Sequence, residues 1–132
     1  MRVDVVTPGG AVLESQATAV TVPTQMGAMT ILEGHIPVIA SLDLGLLTIK
    51  DGAESHAFAV DGGFVEVGKE RVSIVTETAL RPDEVDVDAE SEKLAKYEAD
   101  LKNVSELNTE EITLANRELK RATEFLKISK LS

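Results

Sequence analysis

The sequence predicts an α+β protein: an N-terminal antiparallel β-sandwich over residues 1–84, followed by a C-terminal antiparallel helical hairpin over residues 85–132. Three observations carry this expectation. From Arg2 to about Leu80 the residues alternate with period two. From about residue 88 onward apolar residues recur at steps of three and four. Between the two regimes lies an acidic, turn-forming stretch, Pro82-Asp83-Glu84-Val85-Asp86.

The strands come first. Val3, Val5 and Thr7 alternate with Asp4 and Val6; Ala17, Ala19 and Thr21 with Thr18, Val20 and Val22; Val72, Ile74 and Thr76 with Ser73 and Val75. These runs are short and rich in β-branched residues, which suit a pleated, half-buried surface. Turn residues bound them: Pro8-Gly9-Gly10, Pro23, Asp51-Gly52, Gly62-Gly63 and Gly68. Lys50-Asp51-Gly52-Ala53 predicts a hairpin turn joining Leu46–Lys50 to Glu54–Val60. Asp61-Gly62-Gly63-Phe64 reads as a backbone bend between strands, where glycine supplies the needed φ. Short strands close together in sequence favour an antiparallel sandwich or barrel.

The helices follow. From Asp88 to Asn103, Leu94, Tyr97 and Leu101 lead to Val104 at helical spacing. Asn103–Asn108 is a short connection, and Asn108 with Glu111 three residues on is a capping-box start. Ile112, Ala115, Leu119, Ala122 and Leu126 then form an unbroken seam. So short a connection makes the helices antiparallel neighbours. Leu114, Phe125 and Ile128 fall off that seam, and a hairpin with two apolar sides is expected to pack against a partner. Acids cluster at the start of the first helix (Asp83, Glu84, Asp86, Asp88, Glu90, Glu92) and bases toward the end of the second (Arg117, Lys120, Arg121, Lys127, Lys130), as the helix dipole favours.

Composition narrows the function. At 132 residues the chain holds one ordinary domain plus a small appendage. With three Phe and one Tyr, its core must be built from aliphatic residues. A net charge of −10 repels phosphate backbones and anionic membranes, so nucleic-acid binding is disfavoured. There is no Cys, hence no disulfide, thiolate nucleophile or cysteine-based zinc site, which fits a cytosolic compartment. Met1-Arg2-Val3-Asp4 runs straight into the alternating pattern without the apolar run of a signal peptide. The longest uncharged stretch, Ser15–Leu32, holds Pro23, Gly27 and four threonines and cannot span a bilayer, so any membrane connection comes through a partner.

Catalytic constellations are sparse. Glu33, His35 and His56 could supply a metal triad from separate strands, but their spacing matches no established metal motif. No Gly-x-Ser-x-Gly and no phosphate-cradling Gly-rich loop is present. The chain therefore reads as a non-enzymatic module without a cofactor, with a small metal-dependent β-sandwich enzyme as the alternative.

The ordered motifs resemble a known family over essentially the whole chain: the epsilon subunits of F-type ATP synthases. The match rests on Val5-Val6-Thr7-Pro8, the segments GAMTILEGHIPVIASLDLG (27–45), AVDGGFVEV (59–67), RVSIVTETA (71–79) and LANRELKRATEFLKIS (114–129). The family's Gly-His-x-Pro corner is met by Gly34-His35-Ile36-Pro37, and its Ser-Gly-Gly-x-x-Glu-Val segment by Asp61–Val67, with Asp in place of Ser. The resemblance implies a subunit that couples rotation of the membrane ring of c subunits to the central stalk, and that restrains ATP hydrolysis through the hairpin. Its implied partners are the gamma subunit, the c ring and the catalytic beta and alpha subunits. Its implied place is the cytoplasmic face of a bacterial plasma membrane, with the stromal face of a thylakoid as alternative. Ala28, Met29, Glu33, Gly34, His35, Ile36 and Pro37 would form the rotor and stalk interface. Ala28 stands where the family often has Glu, so a charge contact there is lost. Arg117, Lys120 and Arg121 would be the bases that meet the catalytic subunits. A nucleotide motif of some members, Ile-Asp-x-x-Arg-Ala, reads Val85-Asp86-Val87-Asp88-Ala89-Glu90 here, keeping Asp86 but lacking the Arg.

Overall fold

The longest pairing in the protein is one hairpin, β5 (Val38–Asp51) with β6 (Glu54–Val67), joined at Gly52. Its strands have 14 residues each, about 46 Å if straight at ~3.3 Å per residue, too long for one small layer. The hairpin bends. Pairing skips Asp43 and Gly62 between Leu42–Gly63 and Leu44–Asp61, and Gly62 and Gly63 take φ of 79° and 116°. The expected strands 46–50 and 54–60 are thus one end of a longer ribbon, and the bend at Gly62-Gly63 lies inside a strand rather than between two.

The computed structural model describes residues 1–132, which form two compact units, Met1–Arg81 and Pro82–Ser132. In the first, β1 (Arg2–Thr7), β2 (Gly10–Gln16), β3 (Ala19–Thr24), β4 (Gly27–Leu32), β7 (Arg71–Val75) and β8 (Ala79–Leu80) extend the bent hairpin in the order β2-β1-β7-β6-β5-β3-β4. Beyond the bend, Phe64–Val67 of β6 carries β7, and β7 carries β1 and β2. Before it, β5 carries β3 and β4, and β6 carries β8. Both halves of the β-sandwich therefore share the hairpin. One pair, β1 with β7, runs parallel in a sheet expected to be antiparallel throughout. The long connection between those strands permits it.

The alternation produces the core. Val3, Val5, Val20, Val22, Ile31, Leu47, Ile49, Phe58, Val60, Val65, Val72 and Ile74 are fully or almost fully buried in one cluster. Each such apolar side chain contributes about 1.5–3 kcal/mol by leaving water. Asp4, out of phase with them, is also buried, and its carboxylate accepts from the Arg71 guanidinium and from Arg2 Nε at 3.4 Å. Arg71 thereby ties β7 to β1 across the parallel pair.

The second unit begins with a 3-10 turn, Pro82–Glu84, and holds α1 (Val87–Lys102) and α2 (Thr109–Ser129), linked through a second such turn, Val104–Glu106. Both helices are capped by side chains: Asp86 accepts from Ala89 N at 3.0 Å and Asn108 from Glu111 N at 2.8 Å. The buried stripe of α2 differs from the expected seam. Ala115 and Ala122 are buried as the spacing implies, whereas Leu119 and Leu126 are only half-buried. Phe125 and Ile128, assigned to a second side awaiting a partner, are buried in the single chain, and only Leu114 of that side stays exposed. A helix packed in a globular unit buries a stripe at least about 100° wide, not a narrow coiled-coil line.

Candidate functional site

The corner after β4 is shaped by Gly34, at φ 80°, and closed by His35 N–H donating to Leu32 O at 3.1 Å. His35 Nδ1 lies 2.8 Å from Ile36 O, so one ring nitrogen is engaged with backbone. Glu33 Oε1 accepts from the Met1 ammonium at 3.0 Å, and the same ammonium donates to Ala17 O. The two polar side chains of the corner are thus satisfied locally, while Ile36 projects 78 % exposed beside the exposed Pro37. A cleft of about 820 Å³ opens here, with Arg2, Lys69 and Glu70 on its other wall.

The structure does not assemble the metal triad. His56 lies on β6 opposite Ile49, with Nδ1 3.4 Å from Arg81 Nη1, and the Arg81 guanidinium stacks 4.8 Å over the Phe58 ring. No group of three or more His, Asp or Glu side chains is placed to hold a metal. Glu33 and His35 have other work as corner residues, and His56 pairs with a cation.

Nor do the seven expected interface residues form one patch. Ala28 pairs with Pro23 near the start of β4, whereas Leu32, at its other end, pairs with Ala19. Five residues of strand, about 16 Å, separate Ala28 from Glu33. Met29 packs partly against the core, leaving Ala28 and the neighbouring Met26, which is 98 % exposed, as the accessible side chains at that end.

A third surface was missed in the sequence. Val6, Val75 and Phe64 are register partners across β1, β7 and β6, and they stand 36 %, 37 % and 44 % exposed on the face opposite the core. Thr7, Pro8 and Glu77 border the shallow depression they line. The available signal was parity: each of these apolar residues is out of phase with its strand's buried pair (Val3 and Val5, Val72 and Ile74, Val65 and Val67). Three outward apolar side chains thus stand in one row on this face.

In the helical unit, Arg117 is exposed, with a guanidinium nitrogen 4.0 Å from Glu118, and Lys120 is exposed as well. Arg121, expected with these two to meet the catalytic subunits, is only half-exposed. Its Nε is buried and its guanidinium stacks 4.7 Å over the Phe125 ring. Asp86 is occupied as the cap of α1.

Comparison with known proteins agrees with this architecture. Residues 1–82 match the family model described as ATP synthase, Delta/Epsilon chain, beta-sandwich domain. The ATP synthase epsilon chain of Bacillus pumilus is 36 % identical over 129 residues, covering 98 % of this chain and 96 % of that one. In fold, the chain is similar to one in the mitochondrial ATP synthase of Euglena gracilis (OSCP/F1/c-ring, rotational state 1), with a TM-score of 0.83, 20 % identity, and coverage of 98 % and 80 %. It is also similar to one in the central stalk/c-ring of the Tetrahymena thermophila mitochondrial ATP synthase, with a TM-score of 0.71, 20 % identity, and coverage of 98 % and 96 %. With a sandwich that matches the family's model and a near full-length relative more than a third identical, this chain belongs to the ATP synthase epsilon-chain family.

Proposed function

We propose that the chain works in the central stalk of an F-type ATP synthase, carrying rotation between the membrane ring and the catalytic hexamer while catalysing nothing itself. The observation that carries this reading is the outward apolar row Val6–Val75–Phe64, on a sandwich whose polar corner residues are already satisfied. We assign that row and the Ile36-Pro37 corner to the gamma subunit, and the uncharged Met26–Ala28 turn to the c ring. The separation of these surfaces along β4 supports two partners rather than one. No helix is long and apolar enough to cross a membrane, and attachment through partners at the cytoplasmic face of a bacterial membrane is the location this reading implies.

Co-purification tests it. Phe64→Ser with Val75→Ser removes the centre of the row without touching the core. It should weaken retention of the chain on gamma-containing complexes at least about 30-fold, as loss of an interface anchor worth 2 kcal/mol or more does. Met26→Glu should leave gamma binding intact and loosen the ring. Stoichiometric retention of the Phe64/Val75 variant at native affinity would remove the assignment.

The hairpin is assigned a regulatory role: Arg117 and Lys120 present positive charge from a chain of net charge −10, suited to an acidic surface of the catalytic subunits. Nucleotide is not its ligand. The surviving Asp86 caps a helix, Ala89 offers no guanidinium, and Asp88 and Glu90 flank it. Titration calorimetry of the isolated chain with ATP should show no binding in the micromolar range; micromolar affinity would mean that other cations gather the phosphates.

A further inference from the structure

The bend divides β5 into stretches with different neighbours. From Thr48 to Lys50 it pairs with β3 on one side and β6 on the other, whereas Val38–Leu42 pairs with β6 alone. Val38–Leu42 is therefore an open edge of the sheet half that runs β2-β1-β7-β6-β5. Which backbone groups face that edge follows from the tight turn at the end of β6. Gly68 N–H donates to Arg71 O at 2.7 Å, which makes these two a hydrogen-bonded pair. Antiparallel pairs alternate, so Glu66 and Phe64 bond to β7, while Val67 and Val65 turn to β5 and bond to Val38 and Ala40. Ile39 and Ser41 are left with their N–H and C=O directed outward. Their side chains lie on the outward face as well: Ala40 packs on the core and Leu42 is buried, out of phase with the exposed Ser41 and with Ile39, which is 72 % exposed. Ser41 is the register partner of Phe64, so the row Val6–Val75–Phe64 runs on to this edge. Exposed edges are ordinarily blunted by charge, proline or a bulge. The opposite edge of the same half, β2, carries Glu14 and a register shift facing Val5 and Val6. Pro37 and the bend close the two ends of Val38–Leu42, and between them stands no charge and no proline. Nothing guards it.

We propose that Val38–Leu42 is a strand-addition site: an extended segment of the subunit that covers the row adds to this edge, bonding through Ile39 and Ser41 and laying alternate apolar side chains over Ile39 and Phe64. The inference rests on the assignment of the row to the gamma subunit and adds how that contact is made. The row and the edge adjoin on one face, so a single partner reaches both. A second copy of this chain is a poor occupant, since each copy carries a net charge of −10 and the edge offers no opposite charge. Main-chain bonds at such an edge give affinity with little demand on sequence, and side chains over the row give selectivity.

Hydrogen exchange read residue by residue tests this on the unmodified chain. Free in solution, the Ile39 and Ser41 amides should exchange fast and that of Ala40, bonded to β6, slowly. In assembled ATP synthase, Ile39 and Ser41 should slow by at least about a hundredfold, as amides do when drawn into a stable ladder. Ser41→Pro removes one outward N–H and no bond to β6, a change that edge strands accommodate. It should weaken retention on gamma-containing complexes by about tenfold or more, because a carbonyl of the added strand loses its donor. Ser41→Ala, which keeps the N–H, should be retained as the native chain is. Exchange at Ile39 and Ser41 as fast in the complex as in the free chain, or equal retention of the Pro and Ala variants, would overturn strand addition. The exchange measurement needs no variant and decides alone if Ser41→Pro fails to fold. Slow exchange in the free chain that depends on its concentration would make a second copy the occupant and overturn the proposal equally. The Phe64→Ser with Val75→Ser variant keeps the two readings apart. Its retention at native affinity removes gamma as the partner, whereas its loss, with Ile39 and Ser41 still fast in the native complex, removes only the added strand.

Discussion

Gly63→Ala should unfold the sandwich or leave it several kcal/mol less stable, a far larger effect than Gly62→Ala one residue away. Both glycines have positive φ at the bend of the long hairpin. At Gly62 the nearest atom to an added β-carbon is Leu42 O at 4.0 Å, so that substitution meets only backbone strain, about 1–2 kcal/mol. At Gly63 the β-carbon would overlap the carbonyl oxygen of Val75 and lie 2.9 Å from Thr76 Cα. Those are backbone atoms of the neighbouring strand and its exit, with no side chain to swing aside. Strain plus a forced separation of β6 from β7 should cost about 3–5 kcal/mol, a large share of the stability of a domain this size. Urea unfolding followed by far-UV circular dichroism checks it. A Gly63→Ala midpoint within error of that of Gly62→Ala would show that β7 moves away freely.

Removing residues 82–132 should raise ATP hydrolysis by the assembled complex while the sandwich stays folded and docked. The contacts explain why the sandwich survives: its core cluster draws every member from Met1–Arg81. The gain should be on the order of fivefold or more, the lower end of what a coupling free energy of about 1–3 kcal/mol produces. Arg117→Gln with Lys120→Gln in the full-length chain should recover much of that gain, since these are the bases already exposed. Because exposed charges are screened, inhibition by the native chain should also weaken as salt rises from low ionic strength to several hundred millimolar. Equal hydrolysis by full-length and truncated complexes at every ionic strength would leave the hairpin an assembly role only.

Local chemistry made much of this legible in the sequence. Val3/Val5 and Val72/Ile74 announce strands because one-face burial needs period two, and Asn108 with Glu111 announces a helix start because a helix's first N–H groups need acceptors. These rules act over a few residues, and such elements formed close to where the pattern placed them. Family membership was legible for a related reason: Gly34-His35-Ile36-Pro37 and Asp61–Val67 are contiguous motifs. What the sequence could not settle depends on what lies across from a residue. Gly62 and Gly63 read as a boundary between strands, since only the pairing of β5 with β6 through the bend shows one strand turning a corner. Val6, Phe64 and Val75 looked like ordinary strand residues until β1, β7 and β6 lay side by side and made three scattered positions one row. Ala28 and Glu33 looked like neighbours by number, yet a strand's rise sets them at opposite ends of β4. Phe125 looked unpartnered on a helical wheel and Arg121 looked free, because a wheel shows directions and not neighbours. Period and capping are properties of the chain itself; burial, register and masking belong to the elements that meet, and tertiary structure alone decides which ones do.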